Sequence, residues 1–144
     1  MRRLANALAL ALTLAACRGS GAAEAGPPVC ELTGRPPAAF ASQESFREDY
    51  DDHIGIRLGF RDPDGRELHL FAGIPGEIGE GLPEAGSVTL ADGGSGSLIG
   101  EQQVWVVRWD EGDVCDPRAV LANGFTREEF LDVLADSGIA PPGA

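Results

Sequence analysis

The chain has 144 residues, with 11 arginines, no lysine and 23 aspartates and glutamates, for a formal charge of −12. So acidic a surface repels phosphate backbones, and nucleic-acid binding rests on clustered Lys and Arg, so nucleic acid is excluded as the natural partner. The length suits one domain with a real core and is short for two. Solvated carboxylates that keep the domain soluble are the first reading of the charge, with a basic partner or divalent cations as functional alternatives.

In chain order, Arg2 and Arg3 precede an apolar run from Leu4 to Ala16, rich in leucine and alanine. A membrane-crossing helix needs about 20 apolar residues, so this shorter run reads as a signal peptide over residues 1–16. It ends in Leu14-Ala15-Ala16-Cys17, which resembles the lipobox of bacterial lipoproteins: a leucine, two small residues and a cysteine. The resemblance covers the first 17 residues. It implies diacylglycerol transfer to the Cys17 thiol, cleavage before Cys17 and often acylation of the new amino terminus, giving a membrane partner through a lipid anchor. Two or three acyl chains hold a protein stably where one gives only marginal binding, at about 0.8 kcal/mol per buried methylene. Arg18 stands where an aspartate commonly retains Gram-negative lipoproteins at the inner membrane, which leaves the outer membrane open as a destination. The alternative is plain secretion with cleavage after Ala25, but that small-x-small site lies nine residues beyond the apolar run.

Processing before Cys17 removes Arg2 and Arg3 and leaves nine arginines against 23 carboxylates, a charge of −14. Residues 17–28 form the lipidated cysteine and a flexible tether without apolar periodicity, whose eleven residues after Cys17 span roughly 17–20 Å. The remaining cysteines, Cys30 and Cys115, suit a single disulfide in an oxidising compartment. Two free thiols or a redox pair are the alternatives, and no Cys-x-x-Cys spacing is present.

A single domain is expected over residues 29–140, with 141–144 as a tail. Phe46 and Tyr50 at i, i+4 spacing predict a short helix over 42–50. Ile54, Ile56, Leu58 and Phe60 then alternate with His53, Gly55, Arg57 and Gly59, the period of a half-buried strand. A turn at Asp62-Pro63-Asp64-Gly65 leads to a second strand through Leu68, Leu70 and Ala72, making a hairpin. Residues 72–86 are too rich in Gly and Pro for a regular element, though Ile74, Ile78 and Leu82 are placed to pin them to the core. Short strands are predicted at Ser87–Leu90 and Leu98–Ile99. The strongest strand, Gln103–Trp109, is expected to be central, with Trp105, Val107 and Trp109 on one face and Val104, Val106 and Arg108 on the other.

The last element is a helix over Arg127–Asp136. Thr126 and Glu129 make a capping box, with Phe125 and Phe130 as a hydrophobic staple, and Gly138 and Ile139 supply the carboxyl-end cap. The fold class is therefore α+β, a small antiparallel β-sheet of four to six strands with the C-terminal helix packed on one face.

Candidate chemistry is sparse, and no motif calls for a cofactor. Glu48-Asp49-Tyr50-Asp51-Asp52-His53 offers oxygen and imidazole ligands in an unspecific spacing, and Asp62-Pro63-Asp64-Gly65 lacks the fifth and sixth positions of a calcium loop. The Gly93-Gly94-Ser95-Gly96 loop leads into a strand and not into the helix end that phosphate cradles use. His53 and His69 sit at polar strand positions as candidate general bases, without an evident nucleophile. Arg57 and Arg108 are candidate clamps for an anionic ligand, and Trp105 with His69 completes the candidate binding residues. The leading expectation is a non-catalytic module binding an envelope protein or a small molecule. The alternatives are an envelope hydrolase using His53 or His69 and a purely structural lipoprotein.

Overall fold

The computed structural model describes residues 26–143, so the signal segment, Cys17 and most of the tether lie outside the described residues. Seven strands and one helix follow in order: β1 (Ala41–Asp49), β2 (Ile54–Arg61), β3 (Glu67–Ala72), β4 (Glu84–Thr89), β5 (Ser95–Glu101), β6 (Val104–Trp109), β7 (Arg118–Asn123) and α1 (Arg127–Asp136). All seven strands form one antiparallel sheet in the order β1-β2-β3-β7-β6-β5-β4. The α+β class holds, and the count of seven strands corrects the expected four to six.

The topology is two antiparallel meanders, β1-β2-β3 and β4-β5-β6-β7, joined along β3 and β7. To enter the second meander at its outer edge, the chain leaving β3 must travel four strand spacings, about 19 Å at 4.8 Å each. Residues 73–83 make that crossing over one face of the sheet. Ile78 and Leu82 come down on Ile99, Val106 and Ala119, and Gly79, at φ +83, lies so near the sheet that a Cβ there would meet Ile99 at 2.8 Å. Positive φ and close approach together favour glycine at this point.

The other face holds the main core. Phe60, Leu68, Leu70, Leu98, Trp105, Val107, Trp109 and Val120 pack there with Phe130, Val133 and Leu134 of α1. The helix forms where the sequence predicts it. Thr126 Oγ1 accepts from the Glu129 amide while the Glu129 carboxylate accepts from the Thr126 amide. At the other end the Ile139 amide donates to the Leu134 carbonyl and the Gly138 amide to that of Ala135, with Gly138 at φ +73, which is the Schellman arrangement. Ten residues are too few for a stable isolated helix, so the fully buried Phe125, Phe130 and Leu134 hold it to the sheet.

Cys30 and Cys115 are bonded as a disulfide with Cα atoms 5.5 Å apart. The segment carrying Cys30 lies against β2, with its amide donating to the Ile54 carbonyl, and Cys115 precedes β7. The bridge thus ties the first meander to the second.

Four elements depart from expectation. Residues 41–49 are a strand and not a helix: all nine are exposed, so β1 is held by backbone pairing to β2 and not by burying the Phe46 stripe. Residues 118–123 form β7, which the sequence reading passed over and which is the central strand in place of β6. The sheet therefore continues beyond Cys115. Finally, the strands expected at Ser87–Leu90 and Leu98–Ile99 are longer, at Glu84–Thr89 and Ser95–Glu101.

Candidate functional site

The crossing segment packs on β5, β6 and β7 and with Phe71 of β3, and its start lies over Gly55 of β2; the rest of the same face of β1, β2 and β3 is open, and the strand period fills it. On β3, Leu68 and Leu70 point to the helix side, so Glu67, His69 and Phe71 point away from it. On β2 the same phase places Arg57, Gly59 and Arg61 beside them, and registry fixes the neighbours: Glu44, Gly59 and His69 share one rung, and Phe46, Arg57 and Phe71 the next. A bulge between Ser42 and Glu44 sets Glu44 into its rung; without it the side chains of β1 would alternate to the other face.

Gly59 makes the hollow. Its missing side chain leaves room into which Glu44 and His69 lean, and a Cβ there would meet Glu44 Cγ at 2.7 Å and His69 Nδ1 at 3.0 Å. The resulting cavity of about 310 Å³ is lined by Gln43, Glu44, Arg61, Glu67 and His69. Arg57 Nη2 lies 3.3 Å from Glu44 Oε1, and its guanidinium rests over the Phe46 ring at 5.1 Å from the centroid. His69 stands between two carboxylates, with Nδ1 3.5 Å from Glu44 and Nε2 3.7 Å from Glu67. Arg61 donates to Glu67, and that bond holds the Glu67 carboxyl below its ordinary pKa. Arg57 Nε is buried without a hydrogen-bond partner. Exposed pairs of this kind are worth about 0–1 kcal/mol each, so a ligand can separate them at low cost.

The structure therefore brings Arg57 and His69 together through Glu44. Arg108 lies on the same rung as Arg57, through Phe71 and Ala119, but three strands away, about 14 Å. Trp105 belongs elsewhere. It points to the helix side, is 8% exposed and donates from Nε1 to the Phe125 carbonyl at 3.1 Å, so it is a core residue and not part of a binding surface.

His53 also corrects the expectation. It precedes β2 in the turn after β1 and is buried, not an exposed strand residue. Nδ1 is 2.6 Å from Asp52 Oδ1 and Nε2 is 2.6 Å from the Gly73 carbonyl, while the ring stacks on Tyr50 at 4.7 Å. Both nitrogens face acceptors, an arrangement that favours the protonated imidazole. The Asp52 bond, then the Gly73 bond, raise its pKa despite burial, and the same pairing lowers that of Asp52. Burial and the adjacent Glu48 push the Tyr50 phenol up to about 12. The acidic cluster at 48–53 thus spends its imidazole on fastening the turn to the start of the crossing segment. Among the described residues no group of three or more His, Cys, Asp or Glu side chains is set to hold a metal ion, and no helix is long and apolar enough to cross a membrane.

Two further charge clusters shape loops, the Arg118 cluster absent from the sequence reading and the Asp62 cluster expected there as a turn. Arg118 is buried against Asp113 and Asp116, with Glu111 nearby, and Asp116 also accepts from the Glu111, Gly112 and Asp113 amides. In the β2–β3 turn Asp62 accepts from the Asp64 and Arg66 amides and from Arg66 Nε, and Arg66 covers the Phe125 ring. The Asp62 turn is thus a hydrogen-bonded corner. The groove partners Glu44 and Gly59 were also missed. Glu67 was within reach of the sequence, because the hairpin turn places it opposite Arg61, but the β1 register that brings in Glu44 has no such signal.

No family model matches the chain, and no curated protein and no solved structure matches it either.

Proposed function

We propose that the chain is a lipid-anchored lipoprotein of the bacterial envelope whose domain is a non-catalytic binding module. In this reading the open face of β1–β3 is the binding surface. The observation that carries it is the Gly59 hollow with its Arg57–Glu44–His69 cluster, where weakly held charges and a buried, unpaired Arg57 Nε lie beside the exposed Phe46 ring. The anchor rests on the Leu14-Ala15-Ala16-Cys17 resemblance and on cysteine use, since the Cys30–Cys115 bridge takes both other thiols. Mass spectrometry of the mature chain tests it: acyl mass on an amino-terminal Cys17 is expected, and a mature chain beginning at Gly26 would refute it.

A hydrolase reading has one observation in its favour, because His69 stands beside two carboxylates in a cleft. We disfavour it on geometry. Neither carboxylate is within good hydrogen-bond distance of the ring to orient it as a base, and Arg57 and Arg61 claim the same carboxylates. No Ser, Thr or Cys lines that hollow among the described residues. Turnover of envelope polymers that His69→Ala abolishes would reverse the choice.

A further inference from the structure

Arg108 differs from the other half-buried or buried arginines of the domain. Arg57, Arg66 and Arg118 each have carboxylate partners, whereas Arg108, half-buried on β6, has no hydrogen bond or ion pair among the described residues. Partners were close at hand in sequence. The acidic loop that begins two residues later gives Glu111, Asp113 and Asp116 to Arg118 and none to Arg108. Among the half-buried and buried arginines of the described residues, Arg108 alone has no carboxylate partner.

Its surroundings are built on two sides. Registry puts Ser97 of β5 directly across from Arg108, and Ser95 is the next residue on that face. With Asp110 and Pro117 they line a cavity of about 430 Å³. On the other side the crossing segment brings Glu77, Glu80 and Leu82, with Glu84 of β4, around a second hollow that Arg108 also lines. One positive fork thus stands between hydroxyl donors and a rim of carboxylates. A simple anion would meet the guanidinium but also the acidic rim, and a simple cation would meet the reverse conflict.

We infer that Arg108 anchors a binding site for a zwitterion, an amino acid or short peptide whose carboxylate takes the guanidinium and Ser97 and whose ammonium lies among Glu77, Glu80 and Glu84. The planar fork of arginine suits two-point capture of a carboxylate. The site is open, so affinity near the millimolar range is the expected scale. It lies apart from the β1–β3 hollow and does not depend on the reading of that surface or of the anchor.

The test is a titration of the full chain followed by the NMR shifts of the Ser97 and Arg108 backbone amides, which lie across from each other at the cavity. The probes are alanylalanine, acetate and ethylammonium. Alanylalanine is expected to bind saturably and at least about tenfold more tightly than either single-charge probe, and Arg108→Gln to weaken it about tenfold or more. Circular dichroism checks that the variant is folded; should it unfold, Arg108→Lys, which keeps the charge and loses the fork, is expected to weaken binding by about threefold or more. No saturable response to alanylalanine, equal affinity for acetate, or unchanged binding by the folded variant would overturn the assignment.

Discussion

The two halves of one sheet face have opposite fates. On β5, β6 and β7 the residues Ile99, Val106 and Ala119 of this face are apolar and roofed by Ile78 and Leu82, while on β1, β2 and β3 the face around Gly59 is charged, hollowed and open. One rung shows both: Ile99, Val106 and Leu121 belong to the covered half and His69, Gly59 and Glu44 to the open one. The difference comes from connectivity. A chain that leaves β3 and must reach the far edge at β4 has to cross the second meander, and it roofs what it crosses. The first meander is complete before the crossing starts, so its outer face meets water and carries polar side chains. Nothing in strand propensity distinguishes the halves; the order of the strands does.

The largest effect should come from cutting the covalent tie between the halves. Cys30→Ser with Cys115→Ser opens a loop of sequence separation 85, worth about 4–5 kcal/mol in the chain-entropy model. Urea denaturation should show a loss of that order, and an unchanged midpoint would mean that the meanders hold together without the bridge.

A smaller pair of changes acts within the shared rung. Ile99→Ala, under the crossing segment and 6% exposed, should cost about 2–4 kcal/mol, whereas His69→Ala in the open half should stay within about 0.5 kcal/mol. Denaturation of both variants checks the contrast. Equal losses would show that the open half is packed as tightly as the covered one and would remove the argument for a binding surface there.

The smallest effect is pH-dependent and sits where the crossing begins. His53 has a folded-state pKa raised by Asp52 and the Gly73 carbonyl. A raised histidine pKa stabilises fully below the unfolded value of about 6.5 and is lost as pH rises through the folded value. The groups facing the ring are Asp52, Tyr50 and the Gly73 backbone. Asp52 titrates below this window and Tyr50 above it, so the loss belongs to His53. Thermal melts should show stability falling from about pH 6.5 upward, and His53→Gln should flatten that fall. A slope retained in the variant would assign it to another group.

The sequence was most legible where local rules and the final structure agree. The carboxyl-terminal helix carried its own start and stop signals in Thr126, Glu129, Gly138 and Ile139, each of which makes the expected backbone bond. The β2–β3 hairpin was readable because Leu68 and Leu70 alternate around a turn fixed by Asp62 and Gly65. The bridge followed from counting thiols. What escaped were elements defined by partners far away in sequence. Ala119, Val120 and Ala122 of β7 are buried by sheet packing on both faces, so the run has no polar alternation to mark a strand. Strand β1 is exposed throughout, and pairing to β2 decides its conformation against a weak helical spacing.

The site divides in the same way. The phase of each strand placed Arg57, His69 and Arg108 away from the core side, which the structure bears out. It also set Trp105 in the core-facing phase, which made it a poor choice for a binding surface. The hollow itself arises from the bulge at Ser42/Glu44 and from Gly59 opposite it, a register that no local pattern in either strand announces. His53 shows the limit from the other side: a polar position by phase becomes buried once an adjacent carboxylate and a distant carbonyl satisfy both nitrogens.

The central claim, that the open face of β1–β3 is where this domain meets its ligand, is tested most directly by photocrosslinking in intact cells. A photoreactive residue is placed at Phe46 of the open half and at Leu131 on α1 in two separate chains, and adducts are compared by mass spectrometry. A specific adduct from position 46 that is lost on Arg57→Glu, with none from 131, is the predicted result. The same adducts from both positions, or adducts from 131 alone, would contradict it.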